Sequence, residues 1–138
     1  MAEHLLVYGT LRAESIHPMA HRLRVGAKHV GRGSARGALY DFGEYPGAVF
    51  AADSRYRVIG DLFQLGPNKR LLADLDKYEG INGDEDDLFK RVQVEVALDK
   101  GGTVEAWTYG LIQTPRARLI GTGDFISDRR LRPLSPRP

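Results

Sequence analysis

One carboxylate, Glu79, lies where its charge would be useful for proton transfer. It follows a run of apolar residues at helical spacing that ends at Tyr78, and Gly80 comes next, where helices commonly end in glycine. A carboxylate at this end of a helix faces the negative end of the helix dipole, which costs up to about 1 kcal/mol and favours the protonated form. A general base that works near neutral pH needs a pKa raised in this way. An exposed glutamate in a slightly unfavourable position is the alternative.

A second candidate is the segment Val7-Tyr8-Gly9-Thr10-Leu11-Arg12, which directly follows an apolar strand pattern. Gly9 lets the backbone bend sharply and lets a ligand come close to it. Consecutive N–H groups at such a bend can form a concavity that binds an anion. The segment is therefore a candidate binding loop, with an ordinary strand-ending turn as the alternative.

The sequence lacks the patterns of several common sites. It has no cysteine, so thiolate nucleophiles, disulfides and cysteine-bound zinc are excluded. It also has no serine-hydrolase elbow, no phosphate loop and no zinc-protease helix. His17 and His21 lack a third ligand, residues 84–87 lack calcium-loop spacing, and Gly31 to Gly37 lack dinucleotide-loop spacing. We interpret these as surface histidines, a solvated loop and a turn between strands.

The charge balance argues against a nucleic-acid or membrane partner. The chain has 20 basic and 18 acidic residues, and the basic residues cluster near both ends without forming a dense stripe. No apolar run approaches the roughly 20 residues that span a bilayer, and the N-terminus lacks the pattern of a signal peptide. Together with the absence of cysteine, this predicts a cytoplasmic protein.

Strands and one strong helix must position these residues. Strict alternation of apolar and polar residues is clearest at residues 91–98, and Asp99 to Gly102 have the composition of a hairpin turn. We predict a glycine-rich turn over residues 33–37, a loop over 43–47, a short helix over 18–25 and a longer helix that starts near Gly66-Pro67. The predicted strands are 4–8, 28–32, 36–42, 57–65, 91–98 and 104–112. This order indicates an α+β domain built on a curved sheet or small barrel.

These segments, taken in order, resemble the motifs of the γ-glutamylcyclotransferase-like family. The Val7 to Arg12 segment is similar to the opening signature of that family, and the likeness extends over roughly residues 5–126. The other similar segments are Tyr45-Pro46-Gly47, Gly60-Asp61-Leu62-Phe63, Leu75-Asp76-Lys77-Tyr78-Glu79-Gly80, Phe89-Lys90-Arg91-Val92, Ala106-Trp107-Thr108-Tyr109 and Ile120-Gly121-Thr122-Gly123-Asp124-Phe125. Each segment is weak evidence, but the ordered set is specific.

The resemblance implies a small mixed β-barrel with flanking helices and a cavity at one end. It implies that the backbone of Tyr8, Gly9, Thr10 and Leu11 holds the α-carboxylate or carbonyl end of a glutamyl or oxoproline group, and that Glu79 is the catalytic carboxylate. Residues 1–127 would form this domain, and residues 128–138, rich in Arg and Pro, a tail rather than a helix.

The implied reaction suits a chain without a thiol or serine nucleophile. The α-amine of a γ-glutamyl amide attacks its own γ-carbonyl, so that 5-oxoproline and a free amine or amino acid are released. The expected binding partner is then a small γ-glutamyl molecule, and the reaction needs neither a metal nor an organic cofactor. Phe89, where the family often has Tyr, and the acidic loop before it are departures that bear on substrate choice. A non-catalytic binding module with the same fold is the alternative.

Overall fold

The computed structural model describes residues 3–9, 18–43, 45–66, 69–83 and 86–131. The longer predicted helix lies between two strands, as the sequence indicates, whereas two of the strands and the last helix were not predicted. The elements are β1 (His4–Val7), α1 (Pro18–Gly26), β2 (Ala27–Asp41), β3 (Pro46–Phe50), β4 (Arg57–Leu65), α2 (Lys69–Tyr78), β5 (Phe89–Leu98), β6 (Thr103–Leu111), β7 (Arg118–Leu119) and α3 (Phe125–Leu131).

The strands form a closed mixed barrel. The order β2-β4-β1-β6-β5 runs around it, and β5 returns to β2, where Gly33 pairs with Leu98 and Ser34 with Ala97. Strand β1 is antiparallel to β4 but parallel to β6, with Leu5 opposite Trp107. Strands β3 and β7 pair with the far part of β2, outside this ring. The α+β fold class with a small barrel is thus confirmed.

The predicted turn over residues 33–37 is wrong, because β2 runs unbroken through it. The glycines serve close packing instead of a change of direction. A Cβ on Gly33 would lie 2.7 Å from Cγ1 of Val96 and 2.9 Å from the carbonyl oxygen of Ala97, both on β5. Gly33 therefore allows the two strands to approach where the barrel closes.

Two further boundaries differ from those predicted. The loop predicted over residues 43–47 ends early, since Pro46 begins strand β3; a proline is tolerated as the first residue of a strand. The extended tail predicted from residue 128 is wrong for residues 128–131, which continue α3. Asp124 caps this helix by accepting hydrogen bonds from the backbone N–H groups of Ile126 (3.1 Å) and Ser127 (3.3 Å). Residues 132–138 lie outside the described ranges.

Helix α2 is packed against one end of the barrel. Its Leu71 and Leu75 are buried in the same apolar cluster as Leu5 and Val7 of β1 and Tyr109 of β6. This packing brings the end of α2 beside the exit of β1, where both candidate segments lie. Within the described part of the chain, no helix has the length and apolar character to cross a membrane.

Candidate active site

A cavity of about 570 Å³ lies between the exit of β1 and the C-terminal end of α2. Glu79, Tyr8 and Gly9 all line it, so the structure brings together the two features that the sequence singled out. Thr10 and Leu11, the other two predicted binding residues, lie outside the described ranges. The lining residues are Leu6, Val7, Tyr8, Gly9, Tyr45, Pro46, Tyr78, Glu79, Gly80, Asp86, Leu88, Phe89 and Tyr109.

The way in which α2 ends places Glu79 at the cavity. The Glu79 N–H donates to the Leu75 carbonyl (3.0 Å), which is the last bond of the helical pattern. Gly80 then takes a φ of +74°, as predicted for a helix-ending glycine. The Gly80 N–H donates to Lys77 O and the Ile81 N–H to Asp76 O, both at 3.0 Å, and these two bonds form a Schellman motif. Glu79 is therefore held at a defined and well-bonded chain reversal.

Burial, followed by the negative charge of Asp76, raises the pKa of Glu79 from 4.5 to about 7. The sequence predicted this direction from the position of Glu79 at the end of a helix, and burial and the like charge of Asp76 act in the same direction, with burial the larger cause. In the described part of the chain, the Glu79 carboxylate has neither a hydrogen-bond nor an ion-pair partner. Because Glu79 lines the cavity, its carboxylate lies within reach of a molecule bound there.

The exit of β1 is shaped by two close approaches. A Cβ on Gly9 would lie 2.9 Å from both Cγ and Cδ of Pro46, and a Cβ on Gly60 would lie 2.3 Å from the Val7 carbonyl oxygen. Gly60 therefore lets β4 approach the backbone of β1 closely. Without side chains at these two positions, the backbone at Val7 to Gly9 packs directly against β4 and Pro46.

Tyr8 is tied down by its hydroxyl group. The hydroxyl donates to the Tyr109 carbonyl in a short hydrogen bond and accepts one from the Ala48 N–H at 3.3 Å. Burial raises the pKa of Tyr8 far above its usual value, so that the phenol remains neutral. Because the hydroxyl bridges β6 and β3, a ligand would meet the other atoms of Tyr8.

A network centred on Asp76 was not predicted from the sequence. The Tyr109 hydroxyl donates to Oδ1 of Asp76 at 2.7 Å, and Nη1 of Arg91 lies 3.2 Å from Oδ2. The Arg91 guanidinium also lies 4.7 Å from the centroid of the Trp107 ring, close enough for a cation–π contact. Asp76 precedes Glu79 by three residues, which places the two on one helix face. This spacing is the feature of the sequence that could have indicated that Asp76 belongs to the site.

The mouth of the cavity is rich in apolar and aromatic groups. Tyr45, Tyr78 and Leu88 are 40%, 38% and 58% exposed, and the exposed Asp86 lies beside them. Phe89, at 8% exposure, contributes a buried ring without a hydroxyl to the wall. Among the described residues, no three His, Asp or Glu side chains are grouped to hold a metal ion. The arrangement provides a carboxylate with a raised pKa, Glu79, at the side of a cavity whose mouth suits an organic group.

Comparison with known proteins relates this chain to a family. The family model described as "Gamma-glutamyl cyclotransferase, AIG2-like" matches residues 5–127. Among similar solved structures, an AIG2-like protein from Mus musculus is 19% identical, with a TM-score of 0.74 over 99% of this chain and 97% of that one. An uncharacterised protein from Pyrococcus horikoshii is 24% identical, with a TM-score of 0.67 over 94% of both chains.

A third structure, named gamma-glutamyl cyclotransferase, is 13% identical, with a TM-score of 0.61 over 99% of this chain and 90% of that one. At these identities the structural likeness concerns the fold. The search of curated proteins gave no match.

Proposed function

Since this chain belongs to the gamma-glutamyl cyclotransferase, AIG2-like family, we propose that it cyclises a γ-glutamyl amide and releases 5-oxoproline and a free amine or amino acid. The observation that carries the proposal is the Glu79 carboxylate. It lines the cavity without a protein partner among the described residues, and its pKa is raised to about 7. A group with this pKa can accept and return a proton at neutral pH.

In the proposed reaction the substrate supplies its own nucleophile. The α-nitrogen forms a bond to the carbon of the γ-carbonyl group, a five-membered ring closes, and the bond from that carbonyl carbon to the leaving nitrogen breaks. Glu79 takes the proton from the attacking amine and then gives it to the leaving nitrogen, so no proton is gained or lost overall. Tethering the nucleophile to the electrophile supplies much of the rate enhancement.

The other side of the cavity would hold the glutamyl group. We propose that the backbone from Tyr8 through Gly9, Thr10 and Leu11 binds its carboxylate and the oxygen that becomes negative during attack. Gly9 lines the cavity while its backbone packs directly on Pro46, so this segment forms part of the cavity wall, which supports the role. The leaving amine would then lie towards Tyr45, Tyr78 and Leu88 at the mouth.

Activity should depend on pH through Glu79. A general base must be ionised, so kcat/KM should fall about tenfold per unit as the pH drops below the pKa of Glu79. Because that pKa is about 7, we expect the midpoint of the rising limb near pH 7 and not near 4.5. The measurement is kcat/KM for one γ-glutamyl substrate between pH 5 and 9. A rising limb with its midpoint below pH 5.5 would show that burial does not raise the pKa of the catalytic group.

The function itself is tested by measuring 5-oxoproline release from a panel of γ-glutamyl amines and γ-glutamyl amino acids. The matched control is the same amide with its α-nitrogen acetylated, which has no free amine to attack. We expect oxoproline from the free-amine substrate and no product from the acetylated one. Release of glutamate would instead identify a hydrolase. Binding of 5-oxoproline without turnover across the panel would indicate a non-catalytic binding module.

A further inference from the structure

Asp76 holds the last turn of α2 to the barrel through both its side chain and its backbone. Its carboxylate accepts the hydrogen bond from Tyr109 and pairs with Arg91, while its carbonyl accepts the Ile81 N–H that closes the chain reversal after Glu79. The carboxylate lies one helical turn from Glu79 on the same face. Asp76 is therefore the link between the barrel wall and the chain reversal that carries Glu79.

The partners of Asp76 are themselves fixed. Arg91 on β5 and Tyr109 on β6 are directly opposite each other in the antiparallel pairing of these strands. Arg91 also contacts the Trp107 ring, and the Tyr109 carbonyl accepts the buried Tyr8 hydroxyl. Asp76 thus contacts two residues that are paired across β5 and β6. One of them, Tyr109, also holds Tyr8 on the opposite side of the cavity.

We propose that Asp76 is a positioning residue of the active site, which sets both the place and the charge state of Glu79 by anchoring α2 to Arg91 and Tyr109. It does not line the cavity, so it acts through Glu79 and not on the substrate. This inference rests on the function proposed above and adds the residue that controls its proton carrier.

The electrostatic surroundings of Glu79 support this role. On the barrel side, Tyr8 and Tyr109 have pKa values raised by burial and are neutral. Tyr45, Tyr78 and Asp86 also line the cavity, and Arg91 acts through its pairing with Asp76. Of the described charged groups, Asp76 is the one whose charge raises the pKa of Glu79 in addition to burial. A fixed negative charge at this position keeps Glu79 a stronger base.

The test is Asp76→Asn, which keeps an oxygen to accept the Tyr109 hydrogen bond but removes the charge. We expect the titration midpoint of Glu79 to fall by about one pH unit, measured by carbon-13 NMR of its carboxyl carbon and by the rising limb of the pH profile. We also expect kcat to fall about 10- to 100-fold with little change in KM, since the base is weaker and less well placed. A midpoint that does not move, in a folded variant, overturns the proposal.

Two other variants make the result specific. Asp74→Asn removes a charge from the same helix, where Asp74 pairs with Arg22 of α1, and should leave the midpoint of Glu79 unchanged. Arg91→Gln leaves the charge of Asp76 without its counter-ion, so the midpoint should rise instead of fall. Movement in the same direction in all three variants would overturn the proposal, and the Arg91 variant tests it independently if Asp76→Asn does not fold.

The NMR titration separates this inference from the proposed function because it needs no turnover. Shifts of opposite sign in the two variants, with no oxoproline from any substrate, would support Asp76 as the residue that controls Glu79 and reject the cyclotransferase activity. Oxoproline release with an unmoved midpoint would support the activity and reject the role of Asp76.

Discussion

Replacing Glu79 by Gln should lower oxoproline release by about 10²–10⁴-fold, the usual contribution of a general acid–base. Glutamine has nearly the same shape as glutamate, but its side-chain amide neither accepts nor releases a proton in this pH range. Substrate binding should therefore change much less than kcat. The measurement is kcat and KM for wild type and variant on one substrate at pH 8. Asp53→Asn, an exposed carboxylate before β4, is the matched control and should retain wild-type turnover. Equal turnover by a folded Glu79→Gln protein would remove Glu79 from the mechanism.

The same variant should be more stable than wild type at alkaline pH. Because the pKa of Glu79 is about 7 when folded and near 4.5 when exposed, the folded state binds more protons between these values. The free energy of unfolding of wild type therefore falls as pH rises from about 4.5 to 7, and it stays lower above that range. We expect the variant to gain about 1–3 kcal/mol at pH 8.5 and to match wild type at pH 4. Urea unfolding at both pH values measures the difference.

The largest loss of stability is expected from Gly123→Ala. A Cβ on Gly123 would lie 1.7 Å from the Arg57 carbonyl oxygen, and its φ of +70° is unfavourable for residues with a side chain. Nor can the segment simply move away, since the Gly123 carbonyl accepts the Ile59 N–H at 2.8 Å and its N–H donates to Ile120 at 3.0 Å. We expect the free energy of unfolding to fall by more than about 3 kcal/mol, because backbone strain and a lost pairing with β4 add together.

Gly121→Ala is the matched control for that change. It lies two residues away in the same turn, and a Cβ there would meet no atom within 4 Å. Its unfolding free energy in urea should stay within about 0.5 kcal/mol of wild type. A Gly123→Ala protein as stable as the Gly121→Ala protein would show that the turn after β7 can be rebuilt at little cost.

Local patterns in the sequence predicted the elements around the site. Alternation indicated β5, and helical spacing followed by glycine indicated the end of α2, because these signals come from neighbouring residues. The glycines of β2 misled for a physical reason. Glycine is favoured both where the chain turns and where another strand must approach closely, so the sequence alone does not distinguish the two roles. The position of β5 beside Gly33 shows that the second role applies here.

The site was predictable to a similar extent. The ordered motifs indicated that Glu79 and the Tyr8-Gly9 segment share a site, and the structure places these residues in one cavity. The partners of Asp76 could not be predicted from the sequence, because Arg91 and Tyr109 lie 15 and 33 residues further along the chain. Such contacts depend on how the barrel closes around α2, which no local spacing indicates.

The central place of β1 has a consequence for the order in which the chain is made and folded. Tyr8 reaches a partner 101 residues later in the sequence, and the parallel edge of β1 pairs with β6. At about 5–20 residues per second of synthesis, this edge waits roughly 5–20 s for its partner. Contacts so distant in sequence also form slowly. The cavity is therefore one of the last features of the domain to exist, and a chain cut short before β6 would lack it.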